Sequence, residues 1–196
     1  MKNSILQIFG NWDAGYALDK HKISSTYIGE NEYGHPQFDT LRTEVGEALF
    51  RLKYRDDFSK AEPLAAEIEQ HLVPKFGKIG FIVPMPASKQ RPRQPVTEIA
   101  KALAQRLEVP IFENIVVKLP APDGAPALKD LVGKQAKVDA LSDRFAINDG
   151  ITNDGKWNVL VVDDLYDTGA SMEAACAKLR TYHKVDKIFV AALTWK

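Results

Sequence analysis

The stretch Val159-Leu-Val-Val-Asp-Asp-Leu-Tyr-Asp-Thr-Gly-Ala-Ser171 constrains this chain more than any other segment. Four apolar β-formers run into two adjacent carboxylates. A short loop of small and polar residues follows, and then an Ala-rich segment. Met172, Cys176, Leu179 and His183 recur at i, i+4, i+7 and i+11, which places them on one stripe of a helix. A buried strand that ends in Asp163-Asp164 carries two charges at its carboxyl end, the usual ligand edge of an open α/β sheet. Thr168, Gly169, Ala170 and Ser171 then occupy the mouth of the helix, where unpaired N–H groups and the positive dipole end favour a phosphate. Gly169 lets the backbone turn close to the anion, and Thr168 and Ser171 add hydroxyl donors. Acceptors for sugar hydroxyls beside donors for a phosphoryl group suit a phosphorylated sugar.

Other patterns share parts of this stretch. Asp167-Thr-Gly-Ala-Ser171 also spells the loop of a retroviral-type aspartic protease, but that site needs an all-β setting and a helical stripe follows here. Val-Val-Asp-Asp resembles the acidic opening of a response-regulator receiver, which places it near the start with a phosphoacceptor strand well downstream. The plainest alternative is an acidic pair that only caps the next helix.

With 196 residues, one domain with at most a small appendage is expected. Lys+Arg and Asp+Glu both number 26, so there is no global electrostatic case for nucleic acid or an anionic membrane. The one cysteine, Cys176, falls on the apolar stripe and reads as core filler; it excludes an intramolecular disulfide and a Cys-rich zinc site. His21, His35, His71 and His183 show no metal-ligand spacing. The apolar run from Ile5 to Phe9 is too short for a signal sequence, and nothing approaches membrane-span length, so a cytoplasmic protein is expected.

Along the chain, residues 6–34 mix aromatics, Gly and Thr and predict one or two short strands. Asp39 reads as the N-cap of a helix carrying Leu41, Val45, Leu49 and Leu52. A second helix has Pro63 early and Leu64, Ile68 and Leu72 at four-residue spacing. Phe81-Ile82-Val83 is a buried strand candidate. Pro95 opens a helix with Val96, Ile99, Ala100, Leu103 and Leu107 inward. Ile115–Val117, Phe145–Ile147, Val159–Val162 and Ile188–Leu193 supply further strands. A polar stretch from Leu119 to about Ala140 is long enough to be functional or disordered. Strands alternating with helices over residues 78–194 predict an α/β fold with a doubly wound, mostly parallel sheet. Residues 1–60 are expected to form a small N-terminal hood on a core of residues 61–196.

A second charged element follows Val83. Pro84-Met-Pro-Ala-Ser-Lys-Gln-Arg-Pro-Arg93 puts Lys89, Arg91 and Arg93 at a strand's carboxyl end, where three cations can meet a polyanion. On spacing alone a solvated charged turn is the slightly favoured reading.

The segment 159–171 resembles the signature of type I phosphoribosyltransferases: hydrophobic strand, two acids, then a D/T-T-G-x-T/S loop. Ser88-Lys89 occupies the place of that family's pyrophosphate-loop dipeptide, whose peptide bond is often cis at a cost of about 3 kcal/mol. Pro84-x-Pro-x-Ser88, Leu52-Lys-Tyr54 and Phe145 after a Lys-containing loop are similar to ComF-type members of the superfamily. The likeness departs from that branch in three places: the usual four-cysteine zinc ribbon is missing, Arg93-Gln-Pro-Val stands for Arg-Gly-Phe-Asn, and the Arg-x-x-Asn before the Phe is not reproduced.

The resemblance implies a Mg2+-dependent transferase that displaces pyrophosphate from phosphoribosyl pyrophosphate (PRPP) with a nitrogen base or amine. It implies that Asp163 and Asp164 hold the ribose diol and that residues 167–171 hold the 5′-phosphate. Ser88, Lys89 and Arg91 would hold the pyrophosphate. Asp167 would act on the acceptor's proton, and Mg2+ would be held through PRPP and water rather than by direct protein ligands. Lys129, Lys134 and Lys137 are candidates to close over the substrate and equally candidates for a disordered, solvated loop. Tyr166 and Trp195 are candidates to stack on the acceptor and equally candidates for ordinary packing. The acceptor itself is not identified, and a homodimer is implied. A non-catalytic PRPP or nucleotide sensor on the same fold is the alternative.

Overall fold

The apolar run Val159–Val162 is buried on both faces because helices cover both sides of the sheet that holds it. In the computed structural model, which describes residues 3–87, 91–122, 124, 131–141 and 143–196 (134 and 135 in backbone only), that sheet has five strands. They are β1 (Leu6–Gln7), β2 (Ala14–Lys20), β5 (Phe81–Pro84), β8 (Trp157–Tyr166) and β9 (Val185–Trp195), in the order β1-β2-β9-β8-β5. β2, β9, β8 and β5 run parallel, and β1 pairs antiparallel at the edge. The architecture is α/β with a mostly parallel central sheet, as the alternation of strands and helices predicts.

Pleating divides the core. Val159 and Val161 point to one face, where Met172, Ala175, Cys176 and Leu179 of α5 (Ala170–Thr181) cover them. Leu160 and Val162 point to the other face. There they meet α1 (Glu44–Tyr54), α2 (Ala61–His71) and α3 (Pro95–Leu107) through Leu49, Leu52, Leu64, Ile68, Ile99 and Leu103. A strand buried on both faces reads as a continuous apolar run rather than an alternation, as 159–162 does. Each helix uses its apolar spacing: Leu64 and Ile68 on α2, and Ile99, Ala100 and Leu103 on α3, with Pro95 at the first turn as its fixed φ allows.

Four expectations need correction. Asp39 is not a helix cap: it and Leu41 lie in β4 (Pro36–Arg42), which forms an antiparallel hairpin with β3 (Lys22–Glu30). Helix α1 is capped by Thr43, whose Oγ1 accepts from the Gly46 N–H at 3.0 Å. The Leu41/Val45 spacing imitated a helical turn across a strand-to-helix junction. Second, β6 (Val116–Lys118) and β7 (Phe145–Ile147) leave the parallel sheet and pair antiparallel with each other. Third, the polar stretch before β7 contains a short helix, α4 (Lys134–Asp139). Fourth, His183 lies beyond α5 and is exposed, while Tyr182 turns inward and donates to Asp149 Oδ1 at 2.7 Å.

Residues 1–60 contribute β1, β2, the β3–β4 hairpin and α1. Of these, β2 is a strand of the central sheet, in register with β9 from Ala14↔Phe189 to Lys20↔Trp195.

Candidate functional site

Strand β8 outruns its neighbour. Its pairing with β5 ends at Pro84↔Val162, closed by the Met85 N–H donating to the Val162 carbonyl at 2.8 Å. Its pairing with β9 continues through Asp163↔Ala192 and Leu165↔Thr194 to Tyr166↔Trp195. The acidic pair therefore lies within the strand rather than at its end, at the point where the β5 side opens. That opening is a cavity of about 410 Å3, lined by Lys53, Arg91, Lys118, Asp163, Asp164 and Ser171 among others.

The pleat sends the two carboxylates to opposite sides. Asp164 turns to the α1 face and meets Lys53, with Nζ to Oδ2 at 2.8 Å. Asp163 turns to the α5 face, where its Oδ1 accepts from the Asp164 N–H at 2.8 Å. Burial, and next the Asp164 carboxylate, push the Asp163 carboxyl up to about 8; Lys53 and Lys118 pull the other way. Lys118, at the end of β6, is held below its ordinary value by burial and then by Arg144, with Asp163 opposing. Behind the pair, Thr194 Oγ1 donates to the Asp164 carbonyl at 2.8 Å and lies 3.1 Å from His21 Nδ1. Burial and the nearby Lys53 keep His21 below its ordinary value, so this support is neutral.

The loop after β8 has the conformation its sequence implies. Gly169 adopts φ +80°, and a Cβ there would come within 2.9 Å of the Tyr166 ring, so a side chain at this position is both strained and crowded. No side chain caps α5; the Ala170 N–H reaches Thr168 Oγ1 at 3.5 Å. Residues 166–172 line a second cavity of about 210 Å3, with Lys137 of α4 opposite the loop. Asp163, Leu165 and Ser171 line both cavities, which makes the two parts of one cleft. Asp167 is exposed at its rim, with Lys196 Nζ at 4.0 Å.

The basic run divides by role. Arg91 lines the larger cavity and donates to the Lys53 carbonyl, tying the end of α1 to this segment. Arg93 is engaged elsewhere, in an ion pair with Glu98 and stacked 3.9 Å from the centre of the Phe58 ring. Ser88, Lys89 and Lys129 lie outside the described residues, and of Lys134 only the backbone is described. Trp195 donates its indole N–H to the Ser4 carbonyl at 3.0 Å and packs against the core. Tyr166 shields Gly169 and meets Trp12 edge-on with ring centres 6.4 Å apart. Cys176 is buried, its thiol pushed up to about 12 by burial, which fits core packing and not nucleophilic chemistry.

Three lining residues carried little sequence signal as site residues. Lys53 and Tyr54 appeared only inside the Leu-Lys-Tyr pattern, and nothing marked Lys118. All three sit at the ends of elements that converge on β8, a property of topology rather than of local sequence.

No protein-family model matches the chain, and no curated protein does. Several solved structures are similar. The adenine phosphoribosyl transferase of Trypanosoma brucei, in complex with AMP, pyrophosphate and ribose-5-phosphate, is 14% identical at a TM-score of 0.49, over 98% of this chain and 74% of that one. The adenine phosphoribosyltransferase of Saccharomyces cerevisiae is 20% identical at 0.43, over 87% and 85%. A hypoxanthine phosphoribosyltransferase from Staphylococcus aureus is 11% identical at 0.43, over 71% and 65%.

Proposed function

We propose that this chain is a type I phosphoribosyltransferase that uses PRPP to ribosylate a nitrogen base or amine, releasing pyrophosphate. The observation that carries the reading is the single cleft in which a glycine-turned helix N-terminus, an adjacent carboxylate pair and several cations face one another.

Each part has a task that its chemistry suits. The backbone amides at the start of α5, with Thr168 and Ser171 hydroxyls and Lys137 opposite, hold the 5′-phosphate. Asp163 and Asp164 accept from the ribose 2′- and 3′-hydroxyls. Arg91, Lys53 and Lys118, with Ser88 and Lys89 earlier in the same basic segment, neutralise the leaving pyrophosphate. The transition state has oxocarbenium character, so positioning and fixed charge matter more than a covalent nucleophile. Asp167 stands at the rim, where it can take a proton from an incoming nitrogen. Among the described residues no group of three or more His, Cys, Asp or Glu could hold a metal ion. Two carboxylates beside a polyphosphate site fit a Mg2+ bound through substrate oxygens and water; bound there, it supplies charge neutralisation of the pyrophosphate. ComF-type kinship without the zinc ribbon, a hood within residues 1–60 (here α1 bringing Lys53 and Tyr54 to the rim), and a cytoplasmic setting belong to the same reading.

Incubation with PRPP, Mg2+ and a panel of bases and amines, following pyrophosphate release, tests it. Acceptor-dependent release that is lost in Asp163→Asn/Asp164→Asn is expected. Tight PRPP binding with no turnover on any acceptor would replace the enzyme by a PRPP sensor.

A further inference from the structure

Asp164 already has a partner. Lys53 Nζ sits 2.8 Å from its Oδ2, and both residues line the larger cavity. An ammonium can only donate, and toward a carboxylate a sugar hydroxyl donates too. Lys53 therefore fills the acceptor position that the phosphoribosyl reading gives to the ribose diol. Asp163 differs, because its Oδ1 accepts from the Asp164 N–H within the strand itself. The lysine is held so that its head can move while its backbone stays. It lies in the last turn of α1, where Arg91 donates to its carbonyl and the Arg55 N–H donates to the Arg51 carbonyl. Its ammonium rides on a flexible four-carbon stem. Solvent reaches both members of the pair, with side-chain exposures of 24% and 17%, so the pair opens at small cost. Among the described residues no second carboxylate lies within ion-pair distance of Nζ. An anion in the cavity that Arg91 and Lys118 also line offers the ammonium another partner.

We infer that Lys53 is a specificity-determining plug: it occupies Asp164 until a pyrophosphate group draws it off. The cleft then prefers a pyrophosphorylated ribose to one that carries the 5′-phosphate alone. This presupposes the phosphoribosyl reading of the cleft and adds an order of events to it. With PRPP the ammonium exchanges one anion for another and leaves Asp164 Oδ2 to the sugar. Ribose 5-phosphate alone must open the pair with nothing to replace it. After transfer the pyrophosphate departs, the ammonium returns to Asp164, and it competes with the product's ribose, which favours release. Pyrophosphate and ribose 5-phosphate are thereby coupled through one side chain, and such coupling is reciprocal.

Calorimetry on the full chain reads this coupling. Ribose 5-phosphate and inorganic pyrophosphate are titrated in EDTA, so that no metal bridges the two anions; PRPP is titrated with Mg2+. In the wild type, saturating pyrophosphate is expected to tighten ribose 5-phosphate about fivefold, although neighbouring anions repel. In Lys53→Met, ribose 5-phosphate alone should bind about fivefold tighter than it does to the wild type, and the coupling should vanish. PRPP should bind that variant about tenfold or more weakly. A lysine that only supports the fold would leave the coupling in place. Absent or negative coupling in the wild type overturns the proposal. So does coupling that persists in Lys53→Met, or ribose 5-phosphate that binds the variant no tighter than the wild type. If any of these accompanies PRPP binding by the wild type, the plug fails and the phosphoribosyl reading stands. A wild type that binds neither PRPP nor ribose 5-phosphate ends both.

Discussion

The two halves of β8 share one backbone and differ in nearly everything else. Val159–Val162 is hydrogen-bonded to strands on both sides and buried on both faces; Asp163–Tyr166 is paired only to β9 and half-exposed. The difference begins where β5 stops, at Pro84 opposite Val162. A site arises here because one neighbouring strand is four residues shorter, so that charged side chains emerge from a rigid core without being sealed inside it.

Breaking the first half should damage the fold. Leu160→Ala, in a fully buried position, is expected to cost about 2–5 kcal/mol in urea unfolding. Loss of under about 1 kcal/mol would show that this half is not the structural anchor. Breaking the second half should damage ligand binding and leave the fold in place. Gly169→Val combines positive φ with the Tyr166 ring, and it should weaken binding of PRPP about tenfold or more while costing about 1–3 kcal/mol in stability. Calorimetry and thermal melts on the same variant read both.

The Asp163 carboxyl sharpens the contrast further. Its value in the fold lies above its ordinary value of 3.8, at about 8, because of burial and Asp164. Its favourable contribution is thus complete below the ordinary carboxylate range and is lost as pH rises through about 8. Asp163→Asn should melt higher than the wild type at pH 8.5, by about 3 °C or more, with the gap closing toward pH 4. A variant that melts lower at pH 8.5 would contradict this. Below pH 8, binding of Mg·PRPP that ionises Asp163 should release a proton, detectable as buffer-dependent heat; an equal heat in all buffers would argue against it.

The smallest effect concerns Lys53. Lys53→Met removes the partner of Asp164, and both side chains are partly exposed. A stability change under about 1 kcal/mol is expected, together with a clear loss of PRPP affinity. The reverse pattern would make Lys53 a structural residue only.

The sequence exposed the central strands, α2, α3, α5 and the turn at Gly169, because each has a local cause: a continuous apolar run, four-residue spacing, a Pro at N1, a Gly at positive φ. Other features were hidden because their causes are distant. The length of β8 beyond the acids depends on β9, not on β8's own composition. Asp39 and Leu41 looked helical because β4 runs into α1 with apolar residues at coincident spacing, and only pairing with β3 decides otherwise. β6 and β7 are too short for periodicity to tell their sheet, and Lys53 and Lys118 reach the acids through tertiary packing alone.

Titration of Mg·PRPP by calorimetry into the wild type and into Asp163→Asn/Asp164→Asn tests the reading of the cleft most directly. Saturable binding by the wild type, weakened at least about a hundredfold in the double variant with its melting transition retained, is the expected result. No heat from the wild type, or the same isotherm from both proteins, would contradict it.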